Sequence, residues 1–89
     1  ITSDEPHVSL RCDENNIALE EVKRIILDEN TILIRIIEDR PKVYKLYYLI
    51  SKNVELKIVI DLFMYQNINI RTVKKLVNKF KIGSIRRRF

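Results

Sequence analysis

Few side chains in this sequence could do covalent chemistry. There is one histidine, His7, and one cysteine, Cys12. Nucleophilic catalysis needs a base placed beside a nucleophile, and His7 stands in an acidic N-terminal segment with no such pattern around it. A structural zinc site takes four ligands, which Cys12 cannot supply. With a single glycine in the chain, no phosphate-cradling loop of the P-loop kind can form. The acidic pairs Asp4-Glu5, Asp13-Glu14, Glu20-Glu21, Asp28-Glu29 and Glu38-Asp39 are numerous. Neighbours in a helix do not share a face, so they read as solvated surface and not as carboxylate dyads. The sequence therefore argues against an enzyme and offers no catalytic residue, cofactor site or metal site.

What remains is recognition chemistry, and it is basic and aromatic. Residues 1–39 hold ten acids and four bases, residues 40–70 five bases and two acids, and residues 71–89 eight bases and no acid. The net charge of +5 is therefore concentrated at the C-terminal end, which suits phosphate or an acidic protein surface. Arg71, Lys74, Lys75, Asn78 and Lys79 would line one side of a final helix, with Arg86, Arg87 and Arg88 following. A basic helix with an asparagine can enter a major groove while an arginine tail holds phosphates. The second cluster is Tyr44, Tyr47 and Tyr48. Tyr47 is read as core. Tyr44 and Tyr48, four apart, would share a helix face outside the main apolar stripe, where tyrosine suits a protein interface.

Helices would have to position these groups. Over residues 17–27, Leu19, Val22, Ile25 and Ile26 recur at helical spacing, with Glu20 and Glu21 near the start where the dipole favours acids. Over 41–51, Val43, Leu46, Tyr47 and Ile50 form another stripe, with Pro41 suited to a first turn. Over 54–65, Leu56, Val59, Ile60, Leu62 and Phe63 leave little polar face, so this helix is expected to be central. Residues 70–81 complete the set, with Ile70, Val73, Leu76, Val77 and Phe80 inside. Residues 31–38 fit two patterns. Their alternating isoleucines and β-branching favour a strand, while the surrounding helices favour a helix, which is the assignment made. A short ordered element around 8–12 is compatible with the polar start.

The expected organisation is an acidic, partly disordered segment over 1–15, one helical domain over 16–82 and a basic tail over 83–89. At 89 residues and 46% hydrophobic content, one modest core is affordable. A single cysteine excludes an intrachain disulfide and prefers a reducing compartment. No run approaches the roughly 18 apolar residues of a membrane span, and no signal-peptide pattern opens the chain. The expected location is intracellular, cytoplasmic or nuclear, without membrane contact. The chain opens on Ile1, as a processed product or a piece of something longer would. Fifteen isoleucines and one glycine are the composition of an AT-rich genome, viral or parasitic.

The chain also echoes itself at an offset of 37 residues. Residues 16–30 lie against residues 53–67, with Asn16, Leu19, Val22 and Asn30 meeting Asn53, Leu56, Val59 and Asn67 as identities. Periods of 20–50 residues announce solenoid repeats. The stretch from Leu46 to Asn53 resembles the first helix and turn of an ankyrin repeat, and the stretch from Val54 to Thr72 its second helix and loop. The isoleucine- and tyrosine-rich flavour is similar to the degenerate ankyrin repeats of poxvirus host-interaction proteins. By that resemblance residues 9–12 would be a damaged first helix and 19–27 its second. The Thr-Pro pair is missing before Leu46, the loop glycine is replaced by Gln66 or Asn67, and the period exceeds the family's. The resemblance implies stacked helix pairs and a host protein as partner.

The sequence thus predicts an all-α bundle of four to five short helices that works by binding another protein through Tyr44 and Tyr48. The alternative is a helix-turn-helix-like nucleic-acid-binding domain using helix 70–81 and the arginine tail. A second copy of the chain, covering the apolar helix 54–65, is a further partner to consider.

Overall fold

The computed structural model describes residues 1–63 and 67–77. It contains two helices and a five-stranded sheet: β1 Thr2–Ser3, α1 His7–Glu14, α2 Leu19–Leu27, β2 Ile32–Arg40, β3 Val43–Ser51, β4 Val54–Phe63 and β5 Asn67–Val77. The sheet order is β1-β5-β4-β3-β2. Strands β2 to β5 form an antiparallel meander, and β1 adds in parallel to β5. The all-α expectation is overturned: within the described residues, the segments 31–38, 41–51, 54–65 and 70–81, expected as helices, have strands at their cores.

Local chemistry explains why the strands win. In β3 the side chains of Tyr44, Leu46, Tyr48 and Ile50 all join the core, which is period two, the pleat's own repeat. Pro41 does not start a helix. It fixes φ for the first of two turn residues between the paired Arg40 and Val43, and Lys42 takes the positive φ of 69° that closes the turn. The carbonyl of Lys42 then accepts the Leu62 amide at 2.8 Å, tying the hairpin to β4. In β4, Val, Ile, Val and Ile fall within ten residues, a β-branched density that restricts χ1 in a helix and packs well on a pleated surface.

The echo at 37 residues has no structural counterpart. Its first copy contains α2 and its second contains β4, so the helix pairs that the ankyrin resemblance implies do not form there.

The helices cover one side of the sheet. Val8 and Cys12 of α1 and Val22 and Ile25 of α2 meet Leu46 and Tyr48 of β3, Leu56, Ile58 and Ile60 of β4, and Ile70 and Val73 of β5. Helix α2 matches its sequence reading closely, and Glu20 and Glu21 do occupy its first turn. Helix α1, His7–Glu14, includes the short ordered element considered around 8–12 and extends it at both ends. It ends in a Schellman arrangement: Ile17 N–H donates to Cys12 C=O at 3.0 Å, Asn16 N–H donates to Asp13 C=O at 3.1 Å, and Asn16 takes φ 56°. Asparagine tolerates that left-handed conformation better than most side chains.

The two edges of the sheet are treated differently. On the β5 side, β1 pairs with Asn69 and Ile70. Further along, the Asn15 carboxamide acts as a one-residue strand. Its Oδ1 accepts from the Lys75 amide at 2.9 Å and its Nδ2 donates to the Val73 carbonyl at 3.3 Å. Asn15→Ala leaves both backbone groups to find water in a part-buried place. The expected cost is about 1–3 kcal/mol, read from the midpoint of urea unfolding at unchanged m-value.

Two exposed carboxylates add an acid-side sensitivity. Hydrogen bonds from Ser9 and Ser3 hold the Glu5 carboxyl below its ordinary value, and a hydrogen bond from Arg24 does the same for Glu21. A depressed folded-state value means stability that is present above the unfolded pKa and lost as pH falls through the folded one. The melting temperature should therefore decline below about pH 4.5. The Glu5→Gln, Glu21→Gln double variant should show a shallower decline.

Candidate functional site: an open strand edge

Strand β2 is the other edge, and nothing among the described residues lies beyond it. All nine of its residues are exposed. Ile32, Leu33, Ile34, Ile36 and Ile37 are between 40% and 57% accessible, although a β-branched, aliphatic run of this kind is ordinarily buried. The reason is positional. The sheet extends past the helices, so the side chains of β2 on either face lack a covering layer. Pairing with β3 runs from Ile32 against Leu49 to Arg40 against Val43, with register shifts at Leu33/Arg35 and Glu38/Arg40. The outward backbone groups of the strand form a row ready to pair with another chain.

The charged end of β2 gives this edge direction. Asp39 lies 3.8 Å from both Arg40 Nε and Lys45 Nζ. Glu38 has no cation within 4.0 Å among the described residues. Arg35 reaches inward, its guanidinium 4.1 Å from the Tyr47 ring centroid and its Nη2 3.4 Å from Glu55 Oε1.

On the side of the sheet away from the core, register brings four residues into one row. Arg35 opposes Tyr47, Tyr47 opposes Lys57, and Lys57 opposes Lys74. A groove of about 450 Å³ runs from Lys57, Thr72 and Lys74 round the β5 edge to Arg11, Glu14 and Asn15 at the end of α1.

The residues expected to bind are distributed differently from the sequence reading. Tyr44 and Tyr48 do share a face, since a spacing of four also suits a strand, but it is the face the helices cover. Tyr48 is 6% exposed and in the core, and Tyr44 packs against that core. Burial accordingly raises the Tyr48 hydroxyl pKa above its ordinary value. Tyr47, expected inside, stands on the opposite face over Arg35. Arg71, Lys74 and Lys75 do not line up. Arg71 lies 3.8 Å from Asp61 and 3.9 Å from Asp4. Lys75 points its Nζ at the Asn16 carbonyl, 3.2 Å away. Lys74 is exposed on the outer face. Asn78, Lys79, Arg86, Arg87 and Arg88 lie outside the described residues. On its core side β4 offers no surface to a second copy, because Leu56 and Ile58 are completely covered.

No family model, curated protein or solved structure matches this chain.

The described residues contain no group of three or more His, Cys, Asp or Glu placed to hold a metal, and no described helix is long and apolar enough to cross a membrane. Cys12 is buried beneath the sheet. Burial raises its thiol pKa, with Glu5 and Asp13 adding to the effect. The thiolate is the nucleophile, so native Cys12 should resist a disulfide reagent at pH 8 while the urea-unfolded chain reacts promptly. Fast labelling of the folded chain would contradict the position of α1.

Proposed function

We propose that this domain is a protein-interaction module that accepts an extended segment of a partner protein as an additional strand along β2. One observation carries the reading: a nine-residue edge strand is exposed along its whole length and rich in isoleucine, while the opposite edge is closed by β1 and Asn15. Long, apolar open edges are what native proteins avoid, because they template pairing. Strand addition uses them deliberately, with backbone hydrogen bonds supplying affinity and alternate side chains supplying specificity. The fitting segment is aliphatic along most of its length and carries a lysine or arginine to meet Glu38. The helix-turn-helix reading does not return, because the described part of its recognition helix is β5.

The test is selection of extended peptides from a displayed library, followed by amide hydrogen exchange of the bound domain. Protection rising along β2, with β5 unchanged, is the expected result. Binders that leave β2 exchange untouched would overturn the reading. Sedimentation of the free protein would show whether a second copy occupies the same edge.

A further inference from the structure

The row on the outer face holds a feature that folding alone does not reward. Lys57 and Lys74 are directly opposed on β4 and β5, and like charges in that position destabilise a sheet. Neither has a carboxylate within 4.0 Å among the described residues. The one acid that shares their groove, Glu14, is already paired with Arg11 at 2.6 Å. An anion lying between the two ammonium groups would relieve the repulsion.

The same row carries an aromatic platform. Tyr47 is the β3 neighbour of Lys57, and the Arg35 guanidinium lies over its ring at 4.1 Å. The Arg35 side chain is 45% exposed while its Nη2 lies 3.4 Å from Glu55 Oε1, so part of it remains within reach of a ligand. Unpaired bases stack on arginine planes and aromatic rings, and the phosphates beside them are held by lysine. Four strands at about 4.8 Å spacing make a row about 14 Å long, enough for a few nucleotides. An acidic peptide would use the lysines but not the stacked pair. A duplex would offer phosphates but no free base.

We infer that the cross-strand row of Arg35, Tyr47, Lys57 and Lys74 binds single-stranded nucleic acid, with the lysines on phosphate and a base stacked on Arg35. This does not depend on the β2 edge accepting a partner strand.

The test is fluorescence anisotropy of a labelled 12-nucleotide oligouridylate at 50 and 200 mM salt, with the matching duplex and polyglutamate as competitors. Binding should weaken steeply with salt, and the single strand should compete best. The Lys57→Gln, Lys74→Gln variant should lose at least about tenfold in affinity. It should also flatten the slope of log K against log salt by about 1.4, two contacts at about 0.7 each. Tyr47→Leu should lose affinity with the slope kept. Folding is a separate check: Lys74→Glu replaces a repulsive pair with an attractive one, so its melting temperature should rise while binding disappears. Equal competition by polyglutamate, preference for duplex, or loss of binding only when Arg86, Arg87 and Arg88 are changed to Gln would each overturn the inference.

Discussion

Leu56→Ala is expected to cost about 2–5 kcal/mol, the range for removing a large aliphatic side chain from a core that cannot fully collapse. Leu56 has no accessible surface. It sits on the middle strand, opposite Tyr48 on β3 and Lys75 on β5, in the same cluster as Val8 and Val22 of the helices. Strand neighbours are held by the ladder and the helices rest on top, so there is little freedom to close the gap. A domain of this size has a total stability of about 5–15 kcal/mol. Its melting temperature moves by about 4–8 °C per kcal/mol. The drop should be about 8–40 °C by calorimetry, preceded by a strand-dominated far-UV spectrum in the wild type. A drop of under about 3 °C would mean that α1 and α2 do not cover β4.

The second large effect is on binding and leaves the fold alone. Ile34→Lys with Ile36→Lys should lower affinity for β2-selected peptides by about 10- to 150-fold. Burying an isoleucine fully contributes about 1.5–3 kcal/mol. These two are already half-covered, so about half of that is still available to a partner at each site. Together this amounts to about 1.5–3 kcal/mol, and every 1.4 kcal/mol is tenfold. Each ammonium must also be desolvated. Because both side chains are exposed in the free protein, unfolding free energy should change by less than about 0.5 kcal/mol per site. Leu10→Lys, on an exposed position of α1, is the control and should leave binding unchanged. Equal losses from Leu10→Lys and the double variant would mean non-specific adhesion.

The contrast between α2 and the strands shows what the sequence made legible. Leu19–Leu27 keeps Leu19, Val22, Ile25 and Ile26 on one side and only Leu27 off it, so a single period fits it. Strand β3 is apolar on both sides. Tyr44, Leu46, Tyr48 and Ile50 face the helices, while Val43, Tyr47 and Leu49 supply a second apolar set between them. With so many apolar positions, Val43, Leu46, Tyr47 and Ile50 also mimic a helical stripe, and periodicity loses its power. Other signals did discriminate. Isoleucine and valine crowd 32–37 and 54–60, and the Pro41-Lys42 pair and Lys52-Asn53 punctuate runs of strand length. Weighting branching and turn chemistry over the helical stripes would have yielded the meander and its exposed first strand. The pairing of Lys57 with Lys74 was less accessible. It depends on β4–β5 register, which includes a shift at Val59/Ile60, and no local pattern encodes that.

Asn15 has a consequence for assembly. Cross-β polymers grow because every subunit offers two sticky sides, and here the carboxamide and β1 remove one of them. A subunit with a single reactive side has a valence of one: joining through it consumes it. Whatever pairs with this domain should therefore yield a closed species of defined mass, not a fibre. Asn15→Ala, by reopening the second side, is the change that would give the chain a route to open-ended growth.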